Sequence, residues 1–228
     1  MSEETTRAMT PNEPDWHEWH RTYDKPGSGL YDRLITVQGH LTDALDQLPS
    51  GPVRLVGICA GQGRDVIGVL QEHPRAGDVV GRLVELDVRN AAEARKALTA
   101  IGADGIEVAT ADAGQSDAYL GAVPADVVLA CGVFGNISDE DIATTIELLP
   151  GLCAPGAWVI WTRGRFQSDL NPAIRGWFAE HGFDELAFSF VAESLGVGAH
   201  RFEGAWTPIP AGTQLFRFVG YNVLHPQT

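Results

Sequence analysis

From Val53 onward the chain switches repeatedly between two hydrophobic rhythms. Short runs rich in apolar and β-branched residues occur at 53–58, 78–86, 106–110, 125–130 and 157–162. Each gives way to a stretch in which apolar residues return every third or fourth position, at 64–73, 89–101, 116–120, 139–149 and 172–181. An uninterrupted apolar run marks a strand covered on both faces, and the three-and-four spacing marks a helix with one buried stripe. Five strand-then-helix repeats of this kind predict a parallel sheet with helices on both faces. Right-handed crossovers then bring every strand's carboxyl end to one edge, where ligands of such sheets bind.

Two further segments frame the repeats. Residues 30–48 carry Leu30, Leu34, Val37, Leu41, Leu45 and Leu48 at helical spacing, and Pro49-Ser50-Gly51-Pro52 ends them. Ahead of that helix, Trp16, His17, Trp19, His20 and Tyr23 crowd one short helical stretch, which Pro26-Gly27-Ser28-Gly29 breaks. Residues 1–14 have no periodicity and are expected to be mobile or draped over a surface. The chain therefore divides into a tail and helical lid over 1–50 and a cofactor-binding domain over 51–228. At the carboxyl end, 183–191 and 213–221 read as two strands expected to pair and so to add an antiparallel strand. The Gly-rich stretch between them, 192–212, holds His200, Arg201, Phe202 and Trp206, and reads as a loop walling a substrate site.

Composition narrows the partners. At 228 residues the chain suits one domain with a full core and a short appendage. A formal charge of −14 argues against nucleic acid or an anionic membrane as the main partner, because either would repel the average field of the protein. No apolar run approaches the roughly 20 residues of a bilayer span, and the start of the chain is polar and acidic, so a cytoplasmic location is expected. The three cysteines, Cys59, Cys131 and Cys153, lack the spacing of a disulfide framework or a Cys-x-x-Cys metal site and read as small buried residues.

The strand ends carry the chemistry. After the first strand the chain breaks into Cys59-Ala60-Gly61-Gln62-Gly63, where small residues let backbone approach a bound molecule and permit positive φ. Strand two ends in Val84-Glu85-Leu86-Asp87, and Glu85 or Asp87 is placed to accept hydrogen bonds from the ribose hydroxyls of an adenosine lying across the first two strand ends. Strand three ends at Asp112-Ala113, suited either to capping a turn or to meeting the adenine amine. Strand four opens into Cys131-Gly132-Val133-Phe134-Gly135-Asn136.

With these motifs at consecutive strand ends, residues 30–221 resemble the class I S-adenosylmethionine (SAM)-dependent methyltransferases. The resemblance implies a three-layer α/β/α sandwich whose seven-stranded, mostly parallel sheet has its last strand antiparallel. It also implies SAM as cofactor: the loop of Cys59, Ala60, Gly61, Gln62 and Gly63 cradles the methionine part, and Glu85 with Leu86 beside it binds the ribose. Asp112 and Ala113 then meet the adenine, and Cys131 and Gly132 lie beside the transferring methyl. Two positions depart from the family pattern: Cys59 replaces the first loop glycine, and Gly57 stands where the family commonly has an acid. Asp65, an N-terminal side chain or water would have to meet the cofactor ammonium instead.

Methyl transfer needs chiefly alignment of two reactants in a dry pocket. For a hydroxyl or ammonium acceptor, His17, His20 or Tyr23 is the expected proton acceptor if the first helix lies over the strand ends; packing is the competing role of that aromatic cluster. Trp19, Phe134, Asn136 and Arg163 are the expected substrate contacts, with Arg165 and Phe166 beyond them. No metal is expected, because His-Glu-Trp-His-Arg fails the His-Glu-x-x-His pattern. The absence of an Asn-Pro-Pro-Tyr-like signature and the acidic charge favour a small-molecule acceptor, and exposed aromatics near the start permit a homodimer that exchanges lids. The competing readings are a nicotinamide-dependent oxidoreductase on a similar sheet and a non-catalytic SAM-binding module.

Overall fold

The computed structural model describes residues 15–165 and 169–224. Its seven strands are β1 (Val53–Gly57), β2 (Val79–Glu85), β3 (Ile106–Thr110), β4 (Ala125–Ala130), β5 (Cys153–Gly164), β6 (Phe183–Val191) and β7 (Leu195–Phe202). They form one sheet in the order β3-β2-β1-β4-β5-β7-β6. Neighbours from β3 to β5 pair in parallel, and β7 runs antiparallel to both β5 and β6. One face is covered by α2 (Gly29–Gln47), α3 (Arg64–Leu70) and α4 (Val88–Ala100), whose Leu41, Val66 and Ala94 share a buried layer with Leu55 and Leu83. The other is covered by α5 (Asp139–Leu148) and α6 (Asn171–Glu180), whose Ile146 and Phe178 pack with Val128 and Trp161. The alternating pattern thus becomes the expected three-layer sandwich.

The described chain begins with α1 (Trp16–Trp19), capped by the Asp15 carboxylate, and continues as a 3₁₀ turn, His20–Asp24. Ser28 caps α2, accepting from the amide of Tyr31. A last short helix is α7 (Tyr221–Leu224). Among the described residues no helix is long and apolar enough to cross a membrane. The expectations for residues 1–14 and for Phe166 fall outside the described residues.

The carboxyl-terminal reading needs correction. The partner of β6 is β7, inside the stretch expected to be a loop, whereas 213–221 makes only an isolated bridge between Gln115 and Gln214. The misreading has a physical cause in the glycines of Leu195-Gly196-Val197-Gly198. A Cβ at Gly198 would lie on the indole of Trp161, and one at Gly196 would sit 2.7 Å from Asn171 Oδ1. Those glycines make room for packed side chains rather than marking a flexible loop. Consequently His200 and Phe202 are core residues and no substrate wall: His200 stacks on Phe178 with centroids 4.3 Å apart, and its Nδ1 accepts from Trp161 Nε1 at 3.1 Å. Arg201 pairs with Glu203, and Trp206 donates to the carbonyl of Gly151 at 2.8 Å.

Burial lowers the pKa of His200 from 6.5 to about 4, against the pull of the Glu185 carboxylate and with the push of Arg175. The unfolded chain therefore binds this proton at a higher pH than the folded one, and stability held above pH 6.5 is withdrawn as the pH falls toward 4. At about 1.4 kcal/mol per pKa unit the group accounts for about 3 kcal/mol across that window. Urea unfolding of the wild type and of His200→Gln at pH 7 and pH 4.5 is expected to show a smaller pH dependence in the variant.

Candidate active site at the strand ends

The carboxyl ends of β1, β2, β3 and β4 open into one cavity of about 1110 Å³. Its floor is the loop after β1. Cys59, Gly61 and Gly63 all have positive φ, at 49°, 58° and 69°, so Cys59 adopts a conformation that glycine takes more freely. Glu85 ties this loop to β2: one carboxylate oxygen accepts from the amide of Gly61 at 2.7 Å and the other from the amide of Asp87 at 2.8 Å. Burial pushes the Glu85 pKa up against the opposing effect of these amides. Asp87 does different work. Its carboxylate caps α4 through the amides of Arg89 and Asn90, and it pairs with the Arg89 guanidinium at 2.8 Å. Between the two acids left open by the sequence, the geometry therefore turns Glu85 toward the loop and spends Asp87 on the helix.

Leu86, Asp112, Ala113, Cys131 and Gly132 line the same cavity, as do Ala60 and Gln62. Asp112 accepts from the amide of Gly114 at 2.9 Å, and the amide of Gly132 donates to Thr162 Oγ1 at 2.8 Å. All eleven residues expected to hold the cofactor thus border one space.

The lid roofs it. Arg89 donates two hydrogen bonds to the Asp15 carboxylate, at 2.8 and 3.0 Å, and Trp16 packs edge-on to Phe218 with centroids 5.7 Å apart. Trp19, His20 and Tyr23 line the cavity from above. His20 Nδ1 lies 2.6 Å from the carbonyl of Trp16, which only accepts, so Nδ1 carries the proton and Nε2 keeps its lone pair beside Gly61. Burial lowers the His20 pKa and keeps the ring neutral. Tyr23 is buried, its hydroxyl accepts from Arg33, and burial raises its pKa, so it does not supply a phenolate base. His17 does not border the cavity; its amide donates to the Asp15 carboxylate at 3.0 Å.

The expected substrate contacts divide in the same way. Trp19, Asn136 and Arg163 reach the cavity, but Phe134 is fully buried against Trp161 and does not. Asn136 is occupied as a clasp: its side-chain amide donates to the carbonyl of Gly132 at 2.7 Å and accepts from the amide of Tyr221 at 2.8 Å, while its own carbonyl takes the amides of Val219 and Gly220. Arg163 is buried, donates to the carbonyl of Phe134, and faces Asp139 at 3.5 Å.

No protein-family model matches the chain, and no curated protein matches it in sequence. Solved structures do match its shape. A magnesium protoporphyrin IX methyltransferase from Synechocystis with bound SAM is 15% identical, with a TM-score of 0.61 over 85% of this chain and 100% of that one. A 1,6-didemethyltoxoflavin N1-methyltransferase from Burkholderia thailandensis, holding that compound and S-adenosylhomocysteine (SAH), is 14% identical, with a TM-score of 0.60 over 83% and 84%. A SAM-dependent methyltransferase from Thiobacillus denitrificans in complex with SAH is 15% identical, with a TM-score of 0.55 over 73% and 90%. The fold is that of the class I SAM-dependent methyltransferases. On this methyltransferase fold the cavity also takes in Arg33 of α2, Phe216, Phe218, Tyr221 and Asn222, none of which was singled out from the sequence. Only Arg33 had a signal, a lone cation within the apolar pattern of its helix.

A side chain at Gly61 would need a left-handed backbone and would lie on the His20 ring. Gly61→Ala is expected to cost about 1–2 kcal/mol from the backbone alone and to displace the lid. Adding His20→Ala should restore lid protection in limited proteolysis without recovering the backbone loss in urea unfolding.

Proposed function

We propose that the protein is a SAM-dependent methyltransferase acting on a small-molecule acceptor in the cytoplasm. The observation that carries this reading is the Glu85 carboxylate bonded to the Gly61 amide inside a cavity that also holds Asp112 and Cys131. The fit is local and specific. Gly61 places no side chain on the cavity floor between it and His20, and Glu85 keeps acceptor capacity for two ribose hydroxyls. Leu86 is 47% exposed and offers an apolar flank beside Asp112 for an adenine ring. SAM supplies an electrophilic sulfonium methyl. On this reading residues 1–50 serve as tail and lid over a cofactor domain spanning 51–228, and the neighbours solved with SAM or SAH support the cofactor assignment.

The chain's own contribution is alignment and exclusion of water, to which the roof of Trp16, Trp19 and Phe218 is suited. His20 Nε2 is the group available to take a proton from a hydroxyl or ammonium acceptor, since Tyr23 is held as a phenol and His17 is off the cavity. Arg163 and Trp19 border the acceptor side. The small-molecule assignment draws on the aromatic roof and the net charge of −14, which disfavours nucleic acid.

Calorimetric titration with SAM, SAH and NAD tests the reading: SAM and SAH are expected to bind and NAD is not. Binding of NAD alone would replace it with a nicotinamide enzyme. Glu85→Ala should weaken SAH by at least tenfold while the far-ultraviolet circular dichroism stays unchanged. With an acceptor in hand, the turnover of the wild type should be flat above pH 6.5 and fall below it, because the neutral form of His20 is required and its pKa lies under that value. His20→Gln should lower turnover by about 100-fold or more and flatten that profile.

A further inference from the structure

Aromatic side chains serve this protein in two ways. Phe134, Trp161 and Phe178 are fully buried and fill the core. Trp16, Trp19 and Phe218 are half-buried, and all three border the cavity. With Tyr23 they form one row of steep contacts: Phe218 meets Trp16 at 5.7 Å and 82°, Trp16 meets Trp19 at 5.8 Å and 69°, and Trp19 meets Tyr23 at 5.4 Å and 86°. A further flat ring laid against such a row gains edge or face contact beyond the area it buries. The cavity has room for one beside a cofactor, since its volume of 1110 Å³ exceeds the roughly 300–1,000 Å³ of a site for a single drug-sized ligand.

His20 sits within the row, its ring centroid 5.5 Å from that of Trp19. A ligand ring in contact with the Trp19 indole therefore brings its substituents to His20 Nε2, which keeps its lone pair because Nδ1 holds the proton for the carbonyl of Trp16. Two other acceptor classes suit this wall less well. Aromatic rings also attract ammonium groups. Here, however, the guanidinium carbons of Arg33 and Arg64 already lie 5.4 and 5.9 Å from the centre of the Tyr23 ring, so an ammonium would enter as a third cation. An aliphatic hydroxyl holds its proton about as firmly as water, with a pKa of about 15.7, whereas a ring hydroxyl releases it near about 10. Burial keeps His20 below its ordinary 6.5, and the imidazole is matched to the second far better than to the first.

We infer that the acceptor is a flat aromatic compound methylated on a ring hydroxyl, its ring against Trp19 and its hydroxyl donating to His20 Nε2. The inference rests on the methyltransferase reading above and names the acceptor class of the same site. The ring oxygen forms the new bond to the methyl carbon as the carbon–sulfur bond breaks, and the electron pair of that bond stays on sulfur. The hydroxyl proton passes to His20 Nε2 and leaves to water once the products depart. The products are an aryl methyl ether and SAH, and nothing is oxidised or reduced. Trp19 is a positioning residue, and His20 is the group that exchanges the proton.

The test offers four probes of one size to the protein: 2-naphthol, with ring and ring hydroxyl; 2-naphthalenemethanol, with ring and aliphatic hydroxyl; 2-naphthylmethylamine, with ring and ammonium; and decahydro-2-naphthol, with no aromatic ring. In calorimetry on protein saturated with SAH, 2-naphthol should bind about tenfold or more tightly than the decahydro compound and the amine. With SAM, 2-naphthol should be methylated about 100-fold or more faster than each of the other three. Trp19→Leu should weaken 2-naphthol about tenfold and leave SAH within about threefold. The wild-type comparisons need no variant to fold. Equal binding of 2-naphthol and its decahydro analogue, or transfer to the aliphatic alcohol or the amine as fast as to 2-naphthol, would overturn the assignment. SAH bound with no naphthalene probe bound overturns it too while sparing the methyltransferase reading, and failure of SAM and SAH to bind removes both.

Discussion

Because helices cover both faces of the sheet, its backbone and charged groups can meet a ligand only where the strands stop. β1 to β4 stop together, and each end leaves a small residue or an acid at the rim: Gly61, Glu85, Asp112 and Gly132. The Glu85 carboxylate is the joint of this arrangement. By accepting from the Gly61 amide it holds the loop after β1 to the end of β2, and burial of that acid is tolerated because backbone donors reach both of its oxygens. The positive φ values at Cys59, Gly61 and Gly63 follow from bending the chain sharply enough to present that amide.

The roof is assembled from the two ends of the described chain. Asp15 anchors the first helix to the start of α4 through Arg89, and Trp16 meets Phe218 from the carboxyl-terminal strap. Asn136 holds that strap with three hydrogen bonds, accepted from the amides of Val219, Gly220 and Tyr221, and is itself tied to the carbonyl of Gly132. Asn136 thus lines the cavity itself and also places the segment that carries Phe218 and Tyr221 to it. His20 links the roof to the floor, since its ring fills the space left by the missing side chain of Gly61.

Electrostatics separates the rim into matched charges and deeper ones. The Asp15–Arg89–Asp87 and Asp24–Arg64 groups hold elements together, and being largely exposed they contribute modestly to stability. Arg33 and Asp65 lie deeper, and both line the cavity from separate helices.

The alternation of apolar runs and helical stripes determined the layered α/β architecture, because burial on both faces forces continuous hydrophobic strands and burial on one face forces a 3.6-residue stripe. The strand-end motifs likewise marked the rim of the cavity, since their distance from each strand is fixed by local chain geometry. Tertiary structure decided what local rules do not encode. Gly196 and Gly198 read as loop until Trp161 and Asn171 showed what their missing side chains accommodate. Glu85 and Asp87 were equivalent acids before resemblance and geometry sent one to the loop and the other to a helix cap. His17 and His20 were equivalent imidazoles three residues apart until the short helix put one over Gly61 and left the other off the cavity. Arg33 and Asp65 come from different helices, and only packing of α2 beside α3 brings their charges to one space.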